Sequence, residues 1–257
     1  VTITIDGKNY SVKPNANGVA TLTLNNISGG LHTFAATYGG DGNYSKSSKS
    51  TTFVIGRAAS SIDVNFTTPK LVDDKVLINI SMGQKINGTV ILTVGDNNYT
   101  VVITNGNGSY VISGVVNTTY AIKAVFAGNE NYTASTSTIK NLAVNKVPIE
   151  VDISLDKSVI NVGENAVVTV ELNQTINTTV AVKVNGKEYI VGIVNGKGSL
   201  NLSDLANATY TINATFKGDA KYLTNSSSIL TLKVNKVPTE IDVTVKTPIT
   251  YGSDAVI

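Results

Sequence analysis

Ile149-Glu150-Val151-Asp152-Ile153-Ser154-Leu155 alternates apolar and polar residues, so a strand here presents one apolar face and one polar face. Ala166 to Leu172, Val180 to Val184, Gly198 to Leu202, Tyr210 to Phe216 and Leu230 to Val234 read the same way. Between these runs stand Asn185-Gly186 and Asn195-Gly196, dipeptides suited to the positive φ of tight hairpin turns. Thr, Val, Ile and Asn dominate and no stretch carries a 3.6-residue apolar stripe, which argues against helix.

This stretch is one copy of a unit that recurs every 88 to 90 residues. Tyr38-Gly39-Gly40-Asp41-Gly42-Asn43-Tyr44 returns as Phe126-Ala127-Gly128-Asn129-Glu130-Asn131-Tyr132 and as Phe216-Lys217-Gly218-Asp219-Ala220-Lys221-Tyr222. Gly7-Lys8-Asn9-Tyr10, Asp96-Asn97-Asn98-Tyr99 and Gly186-Lys187-Glu188-Tyr189 keep the same register, and Asn145-Lys146-Val147-Pro148 recurs as Asn235-Lys236-Val237-Pro238. A period of this size indicates an array of one copied unit. The anchors predict complete repeats at 60–148 and 149–238, a partial repeat at 1–59 without opening strands, and a partial repeat at 239–257 with opening strands only. Ile257 aligns with Val168 and Val1 with Val180, so the two partial repeats lack the counterparts of 169–179, and the chain is expected to be a window of a longer repetitive protein. About seven strands in about 90 residues predict an all-β fold, tandem sandwiches of immunoglobulin type. The short joints carrying Pro148 and Pro238 predict a semi-rigid rod. The joint Gly56-Arg57-Ala58-Ala59-Ser60-Ser61, without proline, is expected to bend more.

Charged residues make up only 15% of the chain, against about 25% in ordinary soluble proteins. Net charge is +2, which favours neither a nucleic-acid partner nor an anionic membrane. The chain has no cysteine, which removes disulfides, thiolate catalysis and cysteine metal sites, and fits an anaerobe's surface or a cytosol equally. No apolar run approaches the length of about 18 residues that spans a bilayer.

The run Gly30-Leu31-His32-Thr33-Phe34-Ala35-Ala36-Thr37-Tyr38-Gly39-Gly40-Asp41-Gly42-Asn43-Tyr44-Ser45-Lys46-Ser47 resembles the end of a group 3 bacterial immunoglobulin-like repeat. In that family a glycine-led strand ends in an aromatic residue and a Gly-Asp turn leads to a tyrosine. Val144-Asn145-Lys146-Val147-Pro148-Ile149-Glu150 and Val234-Asn235-Lys236-Val237-Pro238-Thr239-Glu240 are similar to joints in adhesin-like surface proteins of methanogenic archaea. The resemblance implies an extracellular, cell-surface setting and a spacer role. Asn129 departs from the turn aspartate and weakens any shared carboxylate chemistry.

His32 has Tyr120 and Tyr210 as its equivalents, which points to the corner position of the fold rather than to acid-base chemistry. No Ser-His-Asp set, paired carboxylate or phosphate loop recurs, so no catalytic residue, cofactor or metal is expected. Asp41, Asp219, Asp73, Asp74 and Glu164 lie near turns, without the ligand density of a calcium site, and read as turn caps. A lysine-asparagine cross-link would need an inward lysine. In the first and last strands Val151, Ile153, Leu230, Leu232 and Val234 take the inward positions, and Lys140 is the one inward-parity exception.

Asn-x-Ser/Thr sequons stand at Asn26, Asn43, Asn65, Asn79, Asn87, Asn98, Asn107, Asn117, Asn131, Asn173, Asn177, Asn201, Asn207, Asn213 and Asn225. The 29 asparagines would generate about six by composition. Asn79, Asn201 and Asn213 face outward by parity, and glycans would supply the hydration that missing charge does not. The expected function is a structural stalk segment of a large repetitive, N-glycosylated adhesin or surface filament. The alternatives are ligand-binding modules that stack carbohydrate on Tyr44, Tyr132 and Tyr222, and a spacer attached to a surface enzyme. Expected partners are other repeats of the same chain, a host or partner-cell surface, and head-to-tail neighbour chains, with no nucleic acid and no membrane within this segment.

Overall fold

The computed structural model describes residues 1–245 and 247–254. All regular structure among them is β. The chain divides into two compact units, Val1–Asn145 and Lys146–Ile257.

The first unit opens with β1 (Thr2–Ile5), β2 (Lys8–Ser11), β3 (Gly30–Tyr38) and β4 (Ser47–Ile55), which form one antiparallel sheet in the order β2-β1-β3-β4. Ile3, Ile5 and His32 are buried on one face of it. A complete sandwich follows, with β5 (Ile62–Asn65), β6 (Lys70–Leu71), β7 (Val76–Met82), β8 (Gly88–Val94), β9 (Asn97–Ile103), β10 (Asn107–Ile112), β11 (Thr119–Phe126), β12 (Ser135–Thr136) and β13 (Lys140–Asn145). One sheet runs β10-β7-β5 and the other β6-β13-β11-β8-β9, with β12 paired to β11. Val64, Ile78 and Ile80 from the first sheet meet Leu92, Ile103, Ile122 and Leu142 from the second in one core.

The second unit repeats this arrangement with β14 (Val151–Leu155), β15 (Val159–Asn161), β16 (Ala166–Leu172), β17 (Thr178–Val184), β18 (Lys187–Ile193), β19 (Lys197–Leu202), β20 (Ala208–Phe216), β21 (Asn225–Ser226) and β22 (Leu230–Asn235). Its sheets run β14-β16-β19 and β15-β22-β20-β17-β18, with β21 on β20. In both units a short strand pairs parallel with the last long one, β6 with β13 and β15 with β22. Seven long strands split three and four between two sheets make each complete copy an immunoglobulin-like sandwich.

Alternation in sequence becomes alternation in burial. Strand β7 buries Val76, Ile78, Ile80 and Met82 and exposes the residues between them. Each fully buried aliphatic side chain contributes roughly 1.5–3 kcal/mol relative to solvent. Asn185 and Gly186 hold φ of 48° and 84° in the two-residue turn between β17 and β18, where Val184 pairs with Lys187. Those positive values match the twist of the flanking strands, which is why Asn-Gly suits the position.

Strand β18 was not among the alternating runs of the sequence. It lies at a sheet edge, exposes Ile190 and contains Gly192, so its apolar residues do not stay on one face. The opening strand expected in the partial repeat 239–257 does not form in residues 239–245, where Ile241 and Val243 are exposed. Its counterpart β14 is held by a ladder to β16, and no described strand offers residues 239–245 such a ladder. The expected strand at Lys246 and at 255–257 lies outside the described residues.

Candidate functional site

The recurring Gly-Asp turn is built from one side-chain oxygen. Asp219 Oδ1 accepts the backbone N–H groups of Lys221 and Tyr222, both at 2.7 Å. Asp41 Oδ1 does the same for Asn43 at 2.8 Å and Tyr44 at 2.9 Å. Asn129 Oδ1 takes the N–H groups of Asn131 and Tyr132 at 2.9 Å each. The turn needs an acceptor two bonds from Cβ and not a charge, so Asn replaces Asp without loss. The preceding glycines, Gly40, Gly128 and Gly218, hold φ of 83°, 85° and 76°. A Cβ on Gly218 would lie 2.9 Å from Thr224 N and 3.1 Å from Tyr222 O, so both conformation and space require glycine.

Two of the remaining acidic candidates also serve backbone. Asp74 Oδ2 accepts Leu71 N–H at 2.9 Å, Glu164 Oε2 accepts Asn161 N–H at 2.7 Å, and Asp73 takes φ of 69° in its turn. No three His, Cys, Asp or Glu side chains converge among the described residues. The hydroxyl of Tyr38 donates to Asp41 Oδ2, which with the Asn43 and Tyr44 N–H groups holds the Asp41 carboxyl below its ordinary range.

His32 is 6% exposed, stacks on Phe53 at 5.3 Å, and spends both ring nitrogens on acceptors. Nδ1 lies 2.6 Å from Asp6 Oδ2 and Nε2 lies 2.8 Å from Ser28 O. Its equivalents bond at the same offset. The Tyr210 hydroxyl donates to Ala206 O at 3.1 Å, and the Tyr120 hydroxyl accepts Val116 N–H at 3.0 Å. All three reach the backbone four residues upstream, which is the corner role expected from their alignment. Both partners of His32 are acceptors, an arrangement that favours the protonated ring. The Asp6 hydrogen bond first, then Ser28, raise its pKa, and Asp6 is lowered in return.

Lys140 Nζ lies 3.0 Å from the Asp63 carboxylate and donates to Val64 O at 2.6 Å, with both side chains partly exposed. It is an ion pair at the sandwich edge, and among the described residues no asparagine is buried to face it for a cross-link. The Lys140 hydrogen bond lowers the Asp63 pKa.

Of the fifteen sequons named above, Asn213 and Asn225 are half-buried and thirteen are exposed, and a sixteenth that the sequence reading missed, Asn9-Tyr10-Ser11, is exposed on β2. Asn79 and Asn201 lie on outer strand faces as parity predicts. Several asparagines also have structural work. Asn87 and Asn177, equivalent residues, accept the N–H of Asn105 and Asn195 at 2.7 and 2.8 Å. Asn98 accepts the Thr93 hydroxyl, Asn131 the Gly29 N–H and Asn173 the Glu150 N–H, so their Nδ2 atoms stay available. In contrast Asn107, Asn207 and Asn225 use Nδ2 itself, on Asn105 O, Val234 O and Ile149 O. Asn26, Asn43, Asn65 and Asn117 lie exposed in loops or at a strand end.

The sequence reading missed a contact that the structure makes twice. The segment entering each sandwich pairs, parallel, with the loop that carries the motif tyrosine of that same sandwich. In the first unit Ala58 N–H donates to Asn131 O at 2.8 Å, Thr133 N–H donates to Ala58 O at 2.9 Å, and Ala58 faces Tyr132. In the second, Val147 N–H donates to Lys221 O at 2.8 Å, Leu223 N–H donates to Val147 O at 3.0 Å, and Val147 faces Tyr222. Two residues on, Ser60 Oγ bonds Ser135 Oγ at 2.7 Å, and Ile149 O accepts Asn225 Nδ2. The signal was present in the basic-apolar pairs Arg57-Ala58, Lys146-Val147 and Lys236-Val237, each standing where the next copy begins. Tyr222 is 8% exposed under Val147, Tyr132 is half-buried beside the smaller Ala58, and Tyr44, which faces no such segment, is 71% exposed.

No family model and no curated protein matches this sequence. Among solved structures it is similar to the fibronectin(III)-like modules of Clostridium thermocellum CbhA, at 15% identity and a TM-score of 0.31, over 70% of this chain and 98% of that one. It is also similar to murine CEACAM1b, at 13% identity and a TM-score of 0.30, over 67% of this chain and 99% of that one.

Proposed function

We propose that this chain is a stalk segment of a large repetitive cell-surface adhesin or surface filament, carrying N-linked glycans on its outer faces. The observation that carries the reading is that every motif retained between copies serves the scaffold. The turn acceptor, the corner residue and the entering segment each pair with backbone groups, and the glycine permits the turn. The exposed sequon asparagines, in a chain with only 15% charged residues, support surface glycans as the source of hydration. The similarity of the Asn-Lys-Val-Pro joints to adhesin-like proteins of methanogenic archaea supports the setting.

A carbohydrate platform shared by the three motif tyrosines fits less well, because Tyr222 is buried in its core. Two measurements test the stalk reading. Peptides of this segment from native material should be heavier than their bare masses by whole glycan increments. Protease treatment of intact cells should release its peptides. A bare mass ends the glycoprotein reading, and a chain protected inside the cell ends the surface reading.

A further inference from the structure

Asn131 spends three polar groups on three different segments of the first unit. Its N–H donates to Asn129 Oδ1 at 2.9 Å within the turn, its carbonyl accepts Ala58 N–H at 2.8 Å, and its Oδ1 accepts Gly29 N–H at 2.8 Å. The first two partners belong to the sandwich of β5 to β13 and to the segment entering it. The third reaches back to the sheet β2-β1-β3-β4, because Gly29 immediately precedes β3. Gly29 comes so close that a Cβ on it would lie 2.1 Å from Glu130 O, an approach that only glycine allows.

The joint Gly56–Ser61 lacks proline and is expected to bend, yet little of it is free chain. β4 ends at Ile55, and from Ala58 onward the segment is tied to the sandwich, by Ala58 to the Asn131 loop, by Ser60 Oγ to Thr133 O at 2.7 Å and by Ser61 N–H to Gln84 Oε1 at 3.3 Å. Only Gly56 and Arg57 cross from sheet to sandwich. A two-residue crossing swivels, and a second attachment beside it stops the swivel. The Gly29–Asn131 bond stands beside the crossing, since Gly30 pairs with Ile55 across β3 and β4. The loop that carries Gly29 has the conformation of the complete copies: Asn26, Gly114 and Asp204, at equivalent positions, hold φ of 61°, 68° and 56°.

We propose that Gly29 and Asn131 form a lock that fixes the angle between the repeat of β1 to β4 and the repeat that follows it. The lock needs a glycine in the loop of one repeat and an amide oxygen in the turn of the next. Lys221, the equivalent of Asn131, presents donors only, and Asn117 and Asn207, the equivalents of Gly29, carry side chains. The lock is therefore a property of this pair of repeats and not of the motif turn as such, and it makes a joint rigid without proline. The sequon atom Asn131 Nδ2 takes no part in it. The assignment rests on the joint geometry and not on the stalk reading, so unglycosylated native protein would leave it standing.

The chain has no cysteine, so two spin labels can be placed cleanly, at Lys49→Cys on β4 and Ser109→Cys on β10, both exposed. The full chain should give one narrow distribution of distances between them. Asn131→Lys removes the acceptor and keeps the backbone bonds of residue 131, and should widen the distribution at least about twofold, because a single exposed hydrogen bond holds the contact. Gly29→Ala should both widen and shift it. Asn131→Asp, which keeps Oδ1 and destroys the sequon, should leave it narrow. A second pair within the sandwich, Ser109→Cys with Asn141→Cys on β13, should stay narrow in every variant. A distribution in the native chain as wide as that of Asn131→Lys would overturn the assignment, as would widening of the second pair, which would place the loosening in the sandwich itself.

Discussion

His32 Nδ1 lies 2.6 Å from Asp6 Oδ2, and this pair ties the start of β3 to the turn between β1 and β2. Asp6 Oδ1 also accepts Thr33 N–H at 2.8 Å, so one carboxylate holds both the side chain and the backbone of the neighbouring strand.

The pair makes the first sheet sensitive to pH from both sides. The His32 pKa is raised in the folded chain, so its stabilisation is complete below about 6.5, the unfolded value, and is lost as pH rises through the folded value. Asp6 is lowered, so its stabilisation is complete above about 3.8 and is lost as pH falls through its folded value. Resistance of this sheet to denaturant should peak between those two unfolded values. With one histidine in the chain, an NMR titration of its ring should show a midpoint above 6.5, and a midpoint at or below that value would contradict the pairing.

The turn acceptor predicts an asymmetry between two substitutions at Asp219. Asp219→Asn keeps Oδ1 and should change unfolding free energy by less than about 0.5 kcal/mol, whereas Asp219→Ala removes both hydrogen bonds and should cost about 1–2 kcal/mol. Denaturant titration of the second unit measures both, and equal costs would mean that charge rather than the acceptor matters.

Gly198 on β19 and its equivalent Gly108 on β10 are close-approach glycines. A Cβ at Gly198 would stand 2.4 Å from Gly192 O and 2.7 Å from Ile193 Cδ1. Gly198→Ala should therefore destabilise by about 1–3 kcal/mol, through forced movement of the β18 backbone. A neutral result in the melting curve would show that β18 yields freely.

Tyr210→Phe deletes the hydroxyl that reaches Ala206 O and keeps the ring packed, so it should cost about 0.5–1.5 kcal/mol. Hydrogen exchange localised to residues 206–210 should rise with it. A loss spread evenly over the unit would argue that ring packing was disturbed instead.

Legibility followed the physics of each element. Ile212 and Ala214 were readable as core because β20 is central and covered on one face only, which imprints a period of two. Edge strand β18 left no such imprint, since Ile190 and Val191 are apolar on opposite faces and only Val191 is buried. His32 was readable as a corner residue because its tyrosine equivalents stand in the same sequence, though its ion pair with Asp6 depends on a turn 26 residues away.

By itself the sequence determined the repeat, the strand class, the turns and the outer faces that carry the sequons, because these depend on local alternation, on positive-φ residues and on comparison between copies. The tertiary structure alone decided which motif tyrosine is covered and which is open. Val147 lies against the Tyr222 turn and Ala58 against the Tyr132 turn through N–H and C=O groups that every residue carries, so the recurring basic-apolar pairs mark where a copy begins but not which turn they pair with.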